Sequence, residues 1–580
     1  MSDESRDRNQ SKGMSRRAVL KAGAATGATT AVGGLTATQA SALGHDGRRD
    51  QDGEPERIRL VNGEIHTMDP DNPVVSSVTI EDGRFVQVGR NGDRRAGDNA
   101  KTINLRGRTV VPGIIDAHNH IVLVGNRPGH HVLVEHVFTV PEALEVYKNF
   151  AKNVPAGEWI TTIGPIAARQ FEENRLPTLQ ELDDTVPDHP VYVHAADSGG
   201  SRTNSMGRAI LEPLGVEVQD DGSIPGGGGF GSGDAATTVQ FLRATLLSPE
   251  TRRRSAHGAL RYYASLGITM HKDSSAFHDE EPAGGIATEN IFTMHEPFIE
   301  LDRNGQLPAR MRFDFGHYDG GFGIIFNPGA PPPDDIPTLR QRLKNSFPYY
   351  GNDWLRTGGI GEHTGAGVPG LRAIAEARWR AEDHALNLGM AEAHIANREV
   401  VHAETDISEL RWILSHVPAF PPDLADRFHA MGGGVLVGWG PLRTGTDVGP
   451  PYRDLFDHPI EVGWHSDGGD ISLINPWLNL YTMTTGRNLQ GDHILGDQTL
   501  TRQEALWLAT AANRWFINED DIGSIEVGNH ADLAVLNKNY FTVPDEDIRT
   551  IRSQLTIIGG HIVHDDPDGG RHAGTEGAQT

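Results

Sequence analysis

The decapeptide Val111-Pro-Gly-Ile-Ile-Asp-Ala-His118-Asn-His120 carries two imidazoles two residues apart. On an extended strand, residues i and i+2 project to one face, so His118 and His120 can share one ion. Three further stretches bring similar side chains: Met390-Ala-Glu-Ala-His394, Trp412-Ile-Leu-Ser-His416 and Trp464-His465-Ser-Asp467. Imidazole and carboxylate are the ligands of a catalytic divalent metal, and zinc is the favoured ion for such donors. The chain contains no cysteine, which excludes thiolate metal sites, a thiol nucleophile and disulfides. Histidine is abundant, 27 of 580 residues. At that frequency about one His-x-His pair arises by chance, so spacing alone does not mark a site. Placement within the fold has to do so.

The elements that would position these residues are short apolar strands alternating with helical patterns, the mark of βα units around a parallel sheet. The expected strands are Val110–Asp116, Gly267–Lys272, Arg310–Gly316, Trp354–Gly359, Leu388–His394, Trp412–Val417, Gly434–Gly438 and Glu461–Asp467. Eight such strands close an α/β fold of the TIM-like (β/α)8 barrel type, with its active site at the C-terminal strand ends. Strands one, five, six and eight would then deliver His118 and His120, His394, His416 and Asp467 to one mouth. Residues 121–256 form a large insertion after strand one. Its glycine-rich stretch Ile224–Asp234 lacks the Gly-Lys-Ser/Thr ending of a phosphate loop and reads as a lid or connector.

Both flanks look like β-hairpins. Runs at Arg57–Val61, Val74–Glu81, Arg84–Gly89 and Lys101–Val111 precede the barrel, and Ile525–Gly528, Ala531–Leu536, Gln554–Ile558 and His561–His564 follow it. They suggest one β-sandwich built from both chain ends, residues 57–112 and 516–565, around a barrel over 113–515. The N-terminus has the order of a twin-arginine signal peptide over residues 1–42. Ser15-Arg16-Arg17-Ala18-Val19-Leu20-Lys21 is followed by an uncharged run to Ala40 and an Ala40-Ser41-Ala42 cleavage site. That implies the twin-arginine export machinery as a partner and a place outside the cytoplasm, extracellular or periplasmic. Residues 43–56 read as a linker and 566–580 as a disordered tail.

A formal net charge of −26 argues against a nucleic-acid partner. No apolar run is long enough for a stable membrane span. Only 8 of the 52 basic residues are lysine, which with the acidity suggests a surface adapted to high salt.

Taken together, these segments resemble the amidohydrolase superfamily, in particular its amidohydrolase-3 (YtcJ-like) branch, over roughly residues 57–565. The resemblance is strongest at Val111–His120 and at Gly463–Pro476. It is equally strong in the closing stretch, from Leu500-Thr-Arg-Gln-Glu-Ala-Leu506 through Thr510-Ala-Ala-Asn513 and Ile522-Gly-Ser524 to Gly528-Asn-His-Ala-Asp-Leu533. It implies a metal-dependent barrel with a sandwich from both termini. By position it implies that His118 and His120 are first-strand ligands, that His394 and His416 are the fifth- and sixth-strand histidines, and that Asp467 binds metal and shuttles the proton. Many relatives carry a carboxylated lysine at the end of strand four. Here that region reads Arg356-Thr-Gly-Gly-Ile-Gly-Glu362-His363, so one ion is expected, or two if Glu362 takes the bridging place.

The implied reaction is hydrolysis of a non-peptide C–N bond in an amide, formamide or cyclic amide by metal-activated water. In it Asp467 acts as base and then acid, and His416 stabilises the oxyanion. Two alternatives remain, deamination of a nucleobase-like ring and an inactive metal- or ligand-binding relative. Related mononuclear deaminases place Glu three residues after the fifth-strand histidine, where this chain has Asn397. Weaker candidates for contact with a small-molecule substrate are Trp439, Arg443, Trp464, His465, Glu362 and His271. Oligomeric state, including a homo-oligomer, is left open.

Overall fold

The structure, a computed structural model, describes residues 57–90, 100–196, 200–226, 233–275, 291–317, 319, 326–365, 367–443, 449–469 and 471–566. The expected signal peptide, linker and tail beyond Asp566 lie outside the described residues, as does most of the glycine-rich stretch.

Eight parallel strands form the barrel in sequence order: β1 (Ile114–Asn119), β2 (Ile268–Ser274), β3 (Arg310–Phe315), β4 (Leu355–Ile360), β5 (Glu382–His384), β6 (Ile413–His416), β7 (Gly434–Gly438) and β8 (Glu461–His465). They hydrogen-bond as two four-stranded sheets, β1 to β4 and β5 to β8. Local contacts join the halves at both seams. Between β4 and β5, the Ile360 N–H donates to the Arg380 carbonyl at 2.9 Å. Between β1 and β8, the Asp467 N–H donates to the His118 carbonyl at 3.0 Å. Below that bond, the Asn513 side-chain amide donates to the carbonyls of both Ile115 (2.6 Å) and Trp464 (2.8 Å). One buried asparagine thus satisfies backbone groups that the broken ladder leaves over.

Expectation and structure part at two places in the barrel. The expected strand Val110–Asp116 is two elements, because the chain leaves one sheet and enters another at Gly113. A side chain there would put its Cβ 2.1 Å from Thr269 Oγ1, so only glycine lets β1 lie against β2 at this point. The expected fifth strand, Leu388–His394, is the start of a helix, Leu388–Glu404. Its N-cap is Asn387, whose side chain accepts from the Met390 N–H at 3.0 Å. Its buried residues, Met390, Ala391, His394, Ile395, Arg398 and Val401, recur with helical and not strand spacing. The true β5 is the short polar run Glu382-Asp383-His384. It carries no apolar signature because the barrel interior at this level is itself polar. The other strands fall within two residues of expectation.

The sandwich is one eight-stranded sheet drawn from both chain ends. Thr109–Pro112 pairs antiparallel with Leu533–Leu536, and parallel with Ile58–His66. The sheet folds back on itself where the Phe85 N–H donates to the Asn529 carbonyl at 3.0 Å, and it encloses Leu60, Ile80, Phe85, Val110, Leu533 and Ile557. Ile525–Gly528, expected as a strand, is a turn, closed by Asn529 donating to Ser524. A buried ion pair, Arg310 with both oxygens of Asp532 at 2.7 and 3.0 Å, ties the foot of β3 to this sheet.

The segment between β1 and β2 builds its own five-stranded sheet: His130–His131, Ile160–Gly164, Val191–Ala195, Ser201–Thr203 and Ser223–Ile224. Among the described residues no helix is long and apolar enough to cross a membrane.

Candidate metal centre

The C-terminal ends of the barrel strands converge on Glu362, which follows β4. Its Oε2 lies 3.6 Å from His118 Nε2 and 3.4 Å from His120 Nε2. Its Oε1 lies 3.2 Å from His416 Nε2 and 3.5 Å from His384 Nδ1. Asp467 sits on the β1 side, with Oδ1 3.3 Å from both His118 Nε2 and His120 Nε2. Ligand atoms of His118, His120, Glu362 and Asp467 lie close enough together to hold one ion, and those of Glu362, His363 and His384 form a second such group.

The backbone turns sharply to aim these groups. His416, Trp439 and Asp467, just at or beyond the ends of β6, β7 and β8, all have positive φ (73°, 71° and 54°). Non-glycine residues rarely adopt this conformation, and such strain concentrates at functional sites.

His118 is held from behind. Its Nδ1 pairs with Glu382 Oε1, which leaves Nε2 for the centre. A carboxylate on the far nitrogen is how metal-binding imidazoles are oriented and made more basic. Glu382 is held in turn by Lys272, and Lys272 by Asp314 at 3.1 Å.

The electrostatics suit cations. Burial alone would raise the Asp467 carboxyl, yet His416 and the His118 and His120 rings beside it hold it well below the usual range. Burial likewise opposes charge on His120, but Asp467 and Glu362 outweigh it and push its pKa up to about 9. Protons therefore occupy sites that a metal would take. Both oxygens of Asp467, His118 Nε2, His416 Nδ1 and His384 Nε2 are buried without a hydrogen-bond partner. Unsatisfied buried atoms of this kind are costly and call for an explanation. A divalent cation fits this donor set.

Of the residues singled out from sequence, His118, His120, His416, Asp467 and Glu362 come together. His394 does not join them: the helix that begins at Leu388 carries it onto the wall of a neighbouring cavity, and His384 at the end of β5 stands where a fifth-strand ligand was expected. His465 is buried with its ring 4.9 Å from that of His118 and 4.8 Å from that of His416, and neither of its nitrogens has a hydrogen-bond partner. Trp439 stands beside His416 at 5.9 Å, with the Arg443 guanidinium 5.6 Å from its ring. Trp464 belongs to the hydrophobic core. His271 bonds Asn119 at 3.0 Å and packs edge-on against Tyr263, apart from the centre. His384 and Glu382 escaped the sequence reading. The only signal for them was a charged run following Trp379, which looks like a loop.

A metal-binding barrel with a sandwich made from both termini defines a class, and comparison with known proteins places the chain within it. The amidohydrolase family matches residues 101–564, and the chain belongs to that family. It is similar to an N-substituted formamide deformylase from Arthrobacter pascens, 23% identical over 568 residues, covering 87% of this chain and 97% of that one. It is also similar to the putative amidohydrolase YtcJ from Bacillus subtilis, 25% identical over 548 residues, covering 87% and 98%. Among solved structures, an uncharacterized metal-dependent hydrolase from Pyrococcus horikoshii superposes with a TM-score of 0.54 at 16% identity, covering 85% of this chain and 99% of that one.

Proposed function

We propose that the protein is a two-metal amidohydrolase that cleaves the C–N bond of a small non-peptide amide, with N-substituted formamides as the leading substrate class. One observation carries the reading: Glu362 lies within 3.2–3.6 Å of four imidazoles that fall into two pairs, one on each of its oxygens. His118, His120 and Asp467 would hold the first ion with Glu362, and His384 and His363 the second, with His416 3.2 Å from the same Glu362 oxygen as His384. This favours two ions over the single one expected from the missing strand-four lysine. Imidazole and carboxylate donors support zinc.

Bound there, the ions supply Lewis acidity, polarising a carbonyl and bringing the pKa of a water down to about 7. Asp467, ionised at neutral pH, takes the proton of the attacking water and returns it to the leaving nitrogen, so one carboxylate is base and then acid. The water oxygen bonds to the carbonyl carbon, the C–N bond breaks, and the amine departs with the transferred proton. Trp439, 5.9 Å from His416, and Arg443 over the indole ring would meet the substrate. The deformylase relative, matched over nearly its whole length, supports formamides. Export by the twin-arginine route, supported by the Arg16-Arg17 pattern, would deliver the folded protein outside the cytoplasm.

Elemental analysis of the folded protein tests the metal count. Two ions per chain are expected in the wild type and at most one in Glu362→Gln; one in the wild type overturns the two-ion site. Amine and formate released from N-butylformamide test the reaction. Ammonia from an aminated ring, with no amide cleaved, would move the protein to the deaminases.

A further inference from the structure

Beside the centre lies a small cavity, with room for a group of the size of a hydroxyl or a water. His384 and His363 form one wall, and Thr364, Asp383, His394 and Asn397 contribute to the others. It touches the second half of the metal centre but contains none of His118, His120 or Asp467.

Pro328 and Leu371 give the cavity apolar surface, and most of its polar groups already have partners. Asp383 is neutralised by Arg398 at 2.8 Å and accepts from the Thr364 hydroxyl at 3.0 Å. The Asn397 amide is committed to the Pro328 carbonyl at 3.0 Å. His394 is different. It is 7% exposed, and its Nε2 is buried without a hydrogen-bond partner. Its Nδ1 lies on the side of Asp383, 3.8 Å from Oδ2. With the proton on Nδ1, Nε2 offers a lone pair.

We infer that this cavity is a substrate subsite in which His394 Nε2 accepts a hydrogen bond from an uncharged hydroxyl or N–H on the substrate's substituent. The inference rests on the hydrolase reading for its kinetic test. His394 is thus a specificity-determining residue and not a metal ligand. A carboxylate in the substituent has no proton to give the acceptor, and an alkyl group would leave Nε2 unsatisfied, a loss typically worth tenfold or more in selection.

The test pairs N-(2-hydroxyethyl)formamide with its near-isostere N-propylformamide, and adds N-formylglycine as the anionic probe. The wild type should prefer the hydroxyl compound by about tenfold in kcat/KM, chiefly through KM, and should handle N-formylglycine worst. His394→Phe should erase the preference while metal content and kcat for N-propylformamide hold. His394→Gln, whose Oε1 can accept the same bond, should keep most of it. A preference that survives in His394→Phe, or a wild type that favours N-formylglycine, overturns the subsite. If the metal-loaded wild type cleaves none of the three, the hydrolase reading fails on its own. Calorimetric binding of N-(2-hydroxyethyl)formamide then decides the subsite: weaker binding to His394→Phe supports it, and equal binding overturns it.

Discussion

Lys272 Nζ lies 2.5 Å from Glu382 Oε2, with both side chains fully buried, one on β2 and the other on β5. The other oxygen of Glu382 takes His118 Nδ1, so a lysine that touches no proposed ligand fixes the orientation of one. Isolated buried charges are expensive; here Lys272 and Arg380 face Glu382 and Asp314, and the charges balance.

Lys272→Met should therefore weaken metal binding by about 10–100-fold, the usual effect of removing a group that supports a ligand. Competition with a chelator at constant pH measures it. Unchanged affinity would detach Lys272 from the centre.

Asp467→Asn keeps an oxygen for the metal but loses the proton acceptor. Turnover should fall by about 10²–10⁴-fold while much of the metal stays bound, as elemental analysis and single-turnover rates can establish together. Near-normal rates would remove Asp467 from proton transfer.

Metal uptake should depend on pH in a definite direction. In the metal-free protein the His120 pKa is raised from its ordinary 6.5 to about 9. Its contribution to stability is therefore complete below pH 6.5 and lost as pH rises through about 9. A metal needs the neutral ring, so binding displaces a proton and affinity should rise over the same interval. Titrations at several pH values in buffers of different ionisation enthalpy would reveal the released protons. A pH-independent affinity between 6.5 and 9 contradicts this.

Asp532→Ala strips the partner from Arg310, a side chain 1% exposed at the foot of β3, and also removes the acceptor of the Gly559 N–H. Breaking a buried pair from one side typically costs about 3–5 kcal/mol. Thermal unfolding should show a Tm lower by several degrees, with the metal centre's stoichiometry unchanged at low temperature. An unshifted Tm would mean that the sandwich does not depend on this tie.

Strands whose side chains alternate between an apolar shell and the barrel interior were legible because burial leaves a repeating apolar pattern, as at Gly434–Gly438. Short strands whose interior positions are charged left none. Glu382-Asp383-His384 is buried and regular in the structure, yet reads as a surface loop because its charges find partners on other strands: His118 on β1 and Lys272 on β2. His394 drew attention in its place because an apolar run before a histidine looks like a strand end, whereas the spacing of buried residues across the full Leu388–Glu404 segment is helical.

The amino-acid sequence by itself determined the donor chemistry: imidazole and carboxylate without thiolate, a paired His118 and His120 at the end of an apolar strand, and Asp467 at the end of another. Those follow from residue type and local periodicity. Only the tertiary structure decided the fifth-strand histidine, the place of Glu362 between two pairs of imidazoles, and the Lys272–Glu382 support. Such facts depend on which strand ends meet across a barrel, and residues on different strands, from 22 to more than a hundred positions apart, carry no local trace of that meeting.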